Sequence, residues 1–124
     1  MPIAVLGLIV LSVTMSAVAQ VLFKTGMSSG SVKQAIASGS AVDIALAVGL
    51  SPGILGGLSL YGVGTILWLG VLSRTEVSQA YPFVGLGFVF TALVGYWLFG
   101  DTLGPARIGG IVMVMAGIAL IARS

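Results

Sequence analysis

The sequence has no cysteine and no histidine, and charged residues make up only 6% of its 124 positions. Without cysteine the chain has no disulfide and no thiolate metal ligand. Without histidine it lacks the commonest general base and metal ligand. The charged share is far below the roughly 25% that is typical of a soluble domain. So few charges cannot cover a surface that faces water, and we therefore expect the apolar surface to face lipid.

The scarcity of charge also limits the kinds of partner and chemistry. Five basic and three acidic residues give a formal net charge of +2, whereas binding to nucleic acid needs a dense basic patch. The carboxylates Asp43, Glu76 and Asp101 all fall in predicted loops or at the ends of apolar runs. None forms the pattern of a soluble type of active site. We expect no enzymatic activity, no cofactor, no metal site and no nucleic-acid partner.

Long apolar runs dominate what is present, since 58% of the residues are hydrophobic. About 20 residues of helix, at about 1.5 Å per residue, cross a hydrocarbon layer of about 30 Å. The first run is longer than the hydrophobic region of a signal peptide, roughly 7–15 residues, and no basic segment precedes it, so we expect a retained span. The sequence predicts an all-α integral membrane protein with a single transmembrane domain over residues 1–124. Its four spans are expected near 3–23, 52–72, 79–100 and 105–122.

The segment 24–51 is the least membrane-like part of the chain. Two capping-box patterns occur there, Ser31 with Gln34 and Ser40 with Asp43, and each is typical of a helix N-terminus. They predict two short helices, which are too short to span a bilayer and should lie in the interface or pack back on the bundle. These helices are expected near 32–38 and 41–50.

Two further spans have recognisable starting residues. Ser51 is a good N-cap, and Pro52 suits the first helical position, where its missing N–H costs nothing. Ser78 is the expected cap of the third span. Pro82 falls within the first turns of that span and should bend or loosen it locally.

A polar stripe runs along the first span. Ser12, Ser16, Gln20 and Lys24 are spaced by four residues and therefore share one helical face. Small hydroxyl residues of this kind either allow helices to approach and form hydrogen bonds, or line a path for a substrate. The sequence leaves both interpretations open.

Several segments carry a resemblance to a known family. They are L-S-R-T-E-V-S-Q-A-Y-P-F, L-F-G-D-T-L and R-I-G-G-I-V-M-V-M-A-G-I-A-L-I-A between positions 57 and 122, and A-Q-V-L-F-K-T-G at 19–26. They resemble the second half of a four-helix unit of the drug/metabolite transporter superfamily. That group includes the small multidrug resistance proteins, the EamA-type transporters and the small flippase subunits for aminoarabinose on undecaprenyl phosphate, which are nearest in pattern. The resemblance implies a small multidrug resistance-like bundle in the cytoplasmic membrane.

One departure from that family bears on mechanism. The drug exporters carry a glutamate in the middle of span one that exchanges protons for cationic substrates. When the lysine that follows their first span is aligned on Lys24, this glutamate corresponds to Ser16, which cannot titrate. The aromatic residue that lines their site in span three corresponds to Val84, and their tyrosine corresponds to Tyr81. The resemblance therefore implies the fold without the proton-coupled drug mechanism.

The resulting hypothesis is a flippase that moves a lipid-linked, polyprenyl-phosphate sugar while the polyprenyl chain stays in lipid. The alternatives are an exporter of small solutes or cationic drugs, and a non-transporting membrane assembly subunit. The proposed path for the head group consists of Ser12, Ser16, Gln20, Tyr61 and Tyr81. The residues expected to attract the phosphate are Lys24, Arg74 and Arg107.

Two glycines and the placement of basic residues bear on assembly. Gly110 and Gly117 are seven residues apart, and the resemblance implies a dimer contact there; the alternative is packing within the monomer. The basic residues give no clear orientation by the positive-inside rule. The chain is therefore expected either to insert both ways as an antiparallel homodimer, or to be oriented by a similar small protein in a heterodimer.

Overall fold

The computed structural model describes residues 2–124, and the regular structure within them is entirely helical. Four segments are long and apolar enough to cross a membrane: Ile3–Met27, Pro52–Leu72, Val77–Phe99 and Pro105–Arg123. The prediction of an all-α membrane protein with four spans is confirmed. The helices in chain order are α1 (Ile3–Met27), α2 (Gly30–Ser38), α3 (Ala41–Gly49), α4 (Pro52–Leu72), α5 (Val77–Ala80), α6 (Val84–Phe99) and α7 (Pro105–Arg123), with a 3₁₀ turn (Tyr81–Phe83) between α5 and α6.

The first span is longer than predicted. The sequence indicated an end near Phe23, but α1 continues to Met27, and the N–H of Ser28 donates to the carbonyl of Lys24 at 3.0 Å. Lys24 therefore lies within the last turn of α1 instead of following it. A positive charge there is favourable, because the C-terminal end of a helix carries partial negative charge.

The two short helices α2 and α3 form where they were expected, but one cap is different. Ser31 was predicted to cap α2; the cap position is Ser29, and Ser31 lies inside the first turn with its Oγ 3.4 Å from that of Ser29. Ser40 caps α3 as predicted, since its Oγ accepts a hydrogen bond from the N–H of Asp43 at 3.4 Å. Apolar side chains on α3 are exposed, which suits a helix at the membrane interface. They include Val42 and Leu46.

The third span begins differently from the prediction, although Ser51 and Pro52 start α4 as expected. Ser78 is not a cap: it lies inside α5, which follows Glu76, because the carbonyl of Glu76 accepts the N–H of Ala80 at 2.9 Å and closes the first turn earlier. Pro82 lies in the 3₁₀ turn between α5 and α6. The local loosening predicted from this proline is present, because proline has no N–H to continue the α-helical ladder.

The spans alternate in direction, which defines two ends of the bundle. The start of α1, the turn with Arg74 and the end of α7 lie at one end, called here the Arg74 end. The end of α1, the α2–α3 segment, Asp101 and the start of α7 lie at the other, the Lys24 end. Sequence order alone therefore separates Arg74 from Lys24 by the thickness of the membrane.

Helix α1 is the centre of the packing and contacts both α4 and α6, whereas α7 packs on α6 and the adjoining 3₁₀ turn. Glycines bring α1 and α4 close together: a Cβ added at Gly53 would lie 2.9 Å from the backbone of Gly26. Such close approach of backbones is typical of membrane helix pairs. At the Arg74 end the helices enclose an apolar core, formed by Val5, Ile9, Val13, Val71, Ala80, Phe83 and Ile118.

Candidate functional site

A cavity of about 410 Å³, called here the central cavity, lies over α1 between α4 and α6. Its wall combines hydroxyl and amide groups with aromatic rings and contains no charged residue. All five residues that the sequence suggested for a substrate path contribute to this wall. The polar lining consists of Ser12, Ser16, Gln20, Tyr61, Thr65, Tyr81 and Thr91; Trp68 and Phe88 are the other aromatic residues, and Val13, Ala17, Val84 and Gly87 complete the lining.

Ser12 shows that the helix-contact interpretation of the polar stripe holds for this residue. Its Oγ donates to the carbonyl of Gly64 at 2.8 Å, and the residue is only 2% exposed. This hydrogen bond joins α1 to α4 across their close contact. Ser12 therefore acts as a helix contact at the base of the cavity, whereas Gln20, two turns further along, is exposed.

The threonines and the glutamine offer complementary hydrogen-bonding groups. Thr65 Oγ1 donates to the carbonyl of Tyr61 at 2.9 Å, and Thr91 Oγ1 donates to that of Phe88 at 2.9 Å. Because each hydroxyl proton is used within its own helix, the oxygen lone pairs remain as acceptors. The amide of Gln20 supplies two donors and an acceptor. The wall can therefore both donate hydrogen bonds to a hydroxyl-rich ligand and accept hydrogen bonds from it.

Aromatic rings form the sides of the central cavity. Tyr61 is 45% exposed and is supported from behind by Phe23, with ring centroids 6.5 Å apart and planes at 47°. Tyr81, next to the 3₁₀ turn at Pro82, is 63% exposed. A tilted pair of this kind is a favourable aromatic contact, so Phe23 stabilises the ring of Tyr61 at the side of the cavity.

Four polar or aromatic residues of the wall were missed from the sequence, although a signal for them exists. Thr65 and Trp68 follow Tyr61 at four and seven residues, and Phe88 and Thr91 follow Tyr81 at seven and ten. Spacings of four and seven residues keep side chains on the same helical face, and Thr91 follows Phe88 by three residues. Extending the helical spacing from the two tyrosines, as was done for the serine stripe of α1, would have found them.

A second cavity of about 220 Å³, called here the end cavity, continues towards the Lys24 end. It shares Gln20 and Thr91 with the central cavity. The two cavities are therefore adjacent, and together they extend from the middle of the bundle towards the Lys24 end. The lining of the end cavity is Gln20, Val21, Lys24, Thr91, Gly95, Phe99 and Asp101. Towards the Arg74 end, the apolar core around Ile9 and Val71 closes the space.

The three basic residues expected to attract a phosphate are not brought together. Lys24 lines the end cavity. Arg107 is at the same end of the bundle, but its Nη1 donates to the carbonyl of Thr102 at 2.6 Å, so its guanidinium supports the loop before α7. Arg74 lies at the opposite end. Of the three, Lys24 is the residue that lines a cavity, namely the end cavity.

The glycine pair of α7 faces outward. A Cβ added at Gly110 or Gly117 would have no atom within 4 Å. Helix α7 instead buries Ile111 and Ile118 against its neighbours. The sequence left open the alternative that these glycines pack against other helices of the same chain. The structure does not show such packing.

Comparison with known proteins defines the family. A family model described as the EamA-like transporter family matches residues 38–123, which is more than half of the chain. This chain belongs to the EamA-like transporter family. The match covers α3 to α7 and therefore all residues of α4 and α6 in the central cavity, and it confirms the superfamily to which the sequence motifs pointed.

Several curated relatives of this EamA-like protein are known. The protein named "Probable 4-amino-4-deoxy-L-arabinose-phosphoundecaprenol flippase subunit ArnE" from Pseudomonas aeruginosa (strain LESB58) is 36% identical over 63 residues, which are 51% of this chain and 55% of the relative. The protein of the same name from Erwinia tasmaniensis is 35% identical over 65 residues, 52% of this chain and 60% of the relative. "Uncharacterized protein y4nH" from Sinorhizobium fredii is 35% identical over 75 residues, 60% of this chain and 64% of the relative.

The chain thus spans a little more than half the length of the curated relatives it matches. No solved structure is significantly similar to it. The family and the four apolar spans together identify an EamA-like, multi-pass protein of the cytoplasmic membrane.

Proposed function

We propose that this EamA-like protein is a subunit of a transporter that moves a polyprenyl-phosphate-linked sugar across the cytoplasmic membrane. The observation that carries the proposal is the central cavity, whose wall is neutral, hydroxyl-rich and aromatic. A sugar presents hydroxyl groups at its edge and apolar C–H groups on its faces. The hydroxyl and amide groups of the wall can form hydrogen bonds with the sugar hydroxyls, and the aromatic rings can pack against the C–H faces.

Lys24 supports the choice of a phosphorylated head group. It lies on the wall of the end cavity, which shares Gln20 with the central cavity. An ammonium group attracts a phosphate, and a hydrogen bond between charged partners is stronger than one between neutral partners. A sugar phosphate can therefore contact the neutral wall and the cation at the same time.

The arrangement of α4 and α6 suits a substrate with a long apolar chain. Both helices pack mainly on α1 and have little direct contact with each other. The central cavity between them is therefore not closed off by a helix–helix contact on that side. We propose that the polyprenyl chain stays in the lipid at this gap while the head group enters the cavity.

The position corresponding to the exporters' glutamate argues against proton-coupled drug export. Ser16 lines the central cavity, and the wall of that cavity carries no carboxylate. An organic cation would have no counter-charge in the middle of the membrane, where an unpaired charge is costly. From the family match we also propose a transporter that has no enzymatic step.

We propose that the functional unit contains a second copy of this fold, in contact with the outward face of α7 around Gly110 and Gly117. Small residues at such a face allow two helices to approach closely, and this face is unoccupied within the chain. The curated relatives named above carry the word "subunit" in their names, which favours a partner as well. The partner is either a second copy of the chain or a similar small membrane protein.

The proposal is tested by reconstitution. The full chain, alone and together with a co-expressed similar small protein, is placed in proteoliposomes that contain a fluorescent polyprenyl-phosphate sugar. A membrane-impermeant quencher then reports how much of the lipid is reached from outside. We expect faster exchange between leaflets than in protein-free liposomes. Exchange at the protein-free rate in both preparations would overturn the proposal, and proton-dependent uptake of tetraphenylphosphonium would favour a cationic drug exporter instead.

A further inference from the structure

A hollow over Gly57, in the contact between α1 and α4, lies next to the wall of the central cavity. Gly57 is buried on α4, and a Cβ added there would lie 2.7 Å from both Cδ1 and Cε1 of Phe23 and 3.1 Å from the carbonyl oxygen of Ala19. The Phe23 ring, which comes from α1, therefore occupies the space that a side chain at position 57 would need. Any residue larger than glycine would displace this ring.

Tyr61 follows Gly57 by four residues on α4 and lines the central cavity. In a helix an aromatic side chain leans towards the N-terminus, over the residues three and four positions before it. The natural direction of the Tyr61 ring is therefore towards the hollow over Gly57, which the Phe23 ring fills. The two rings meet there, with centroids 6.5 Å apart and planes at 47°.

The position of the Tyr61 ring depends on packing. Within residues 2–124 its hydroxyl takes part in no hydrogen bond, and the residue is 45% exposed. Phe23 is half-buried and lines neither cavity. An effect of Phe23 on a ligand in the central cavity must therefore pass through the residue that its ring supports.

We infer that Phe23 is a positioning residue: by filling the hollow over Gly57, its ring keeps the ring of Tyr61 turned into the central cavity. Gly57 is the other part of this arrangement, because its missing side chain admits the Phe23 ring. The role in transport rests on the proposed function, in which the aromatic wall packs against the head group. The sequence pattern indicates neither residue, because Phe23 and Gly57 meet only when α1 packs on α4.

The position of the ring is tested by fluorine NMR of the full chain, labelled with 3-fluorotyrosine, in nanodiscs. The chain has three tyrosines, and their resonances are assigned with Tyr61→Phe, Tyr81→Phe and Tyr96→Phe. Phe23→Ala empties the hollow, so we expect the Tyr61 resonance to shift by more than its linewidth. Phe23→Leu keeps most of the bulk and should shift it less, whereas Gly57→Ala displaces the Phe23 ring and should also shift it. Tyr96 is exposed on α6, outside both cavities, and its unchanged resonance shows that a variant is folded.

Matched controls separate this effect from general packing changes. A Cβ added at Gly56, the neighbour of Gly57, would meet only Cδ1 of Leu22, at an ordinary contact distance of 3.8 Å. Gly56→Ala should therefore leave the Tyr61 resonance in place. Phe90→Ala removes the same type of ring from α6, at a position that lines neither cavity, and should also leave it in place.

The rate of leaflet exchange shows whether Phe23 acts through Tyr61. Phe23→Ala should slow exchange about threefold to fivefold, the size expected for the loss of one aromatic contact. In a chain that already carries Tyr61→Ala, the same substitution should slow exchange no further, because no ring is left to position. A residue that only stabilises the helix pair would slow exchange by the same factor in both backgrounds.

Two results would overturn the inference. One is a Tyr61 resonance that stays in place in both Phe23→Ala and Gly57→Ala. The other is an equal slowing of exchange by Phe23→Ala with and without the Tyr61 ring. Exchange at the protein-free rate in the wild type would instead overturn the proposed function, and the NMR result would still decide whether Phe23 positions Tyr61, since it needs no ligand.

Discussion

The contact between α1 and α4 gives the sharpest test of the fold, through two glycines on the same helix. At Gly53 an added Cβ would lie 2.9 Å from both Cα and N of Gly26. Backbone atoms cannot rotate out of the way as the end of a side chain can, so the helices must separate. At Gly62, on the same helix, an added Cβ would meet nothing within 4 Å.

The comparison of Gly53→Ala with Gly62→Ala isolates the cost of this overlap. Each substitution adds one methyl group and reduces the conformational freedom of the unfolded chain in the same way, a gain of up to about 1 kcal/mol. This gain in stability is therefore about the same in both variants and largely cancels when they are compared. What remains is the cost of overpacking, about 1–3 kcal/mol, which we expect to lower the free energy of unfolding of Gly53→Ala relative to Gly62→Ala.

The assay is reversible unfolding in mixed micelles of dodecyl maltoside and sodium dodecyl sulfate, followed by circular dichroism or tryptophan fluorescence. The midpoint should move to a lower detergent fraction for Gly53→Ala, and Gly62→Ala should be at least as stable as the wild type. If the two variants unfolded at the same midpoint, the backbones of α1 and α4 would not be in contact at Gly26.

Three further predictions concern function and assembly. Gln20→Leu and Tyr81→Phe each remove a hydrogen-bonding group from the cavity wall while nearly keeping its shape, so each should slow leaflet exchange about fivefold, for a contact of about 1 kcal/mol. Gly117→Leu should lower the fraction of dimer seen by native mass spectrometry in nanodiscs, because a branched side chain fills the outward face of α7. Glu76→Gln should leave exchange unchanged, because Glu76 lies at the Arg74 end, outside both cavities.

Controls make these predictions specific. Ser59→Ala removes an exposed hydroxyl of α4 that bonds only to the carbonyl of Leu55, so its exchange rate should match the wild type. Gly7→Leu adds the same side chain as Gly117→Leu at another open position and should not change the dimer fraction. Equal rates for Gln20→Leu and Ser59→Ala would place the head group outside the central cavity. Loss of exchange in Glu76→Gln would favour the proton-coupled exporter.

The features that depend on local sequence could be predicted well. The spans follow from the length of the apolar runs. The residues that α1 contributes to the cavity wall follow from their four-residue spacing, because helix geometry alone places such residues on one face. The start of α4 follows from Ser51 and Pro52 in the same way. The loosened start of the third span follows from Pro82, whose missing N–H interrupts any α-helix.

The features that depend on contacts between helices could not be predicted. The hydroxyl of Ser12 can bond to a helix or to a substrate, and the approach of α4 at Gly64 decides between them. Asp101 lines the end cavity only because Gly100 turns the chain back over Gly95. The end of α1 was placed too early because Lys24 was taken as a boundary, although a cation in the last turn is favourable.

The central claim is that the cavity between α4 and α6 holds the head group of a polyprenyl-phosphate sugar. The most direct measurement is photo-crosslinking in proteoliposomes, with a diazirine on the sugar of the probe lipid and the labelled peptides mapped by mass spectrometry. We expect label on the cavity faces of α4 and α6, at Tyr61, Thr65, Tyr81 and Thr91, and its loss when unlabelled lipid is in excess. Label confined to the outward face of α7 or to α3, or label that unlabelled lipid does not displace, would contradict the claim.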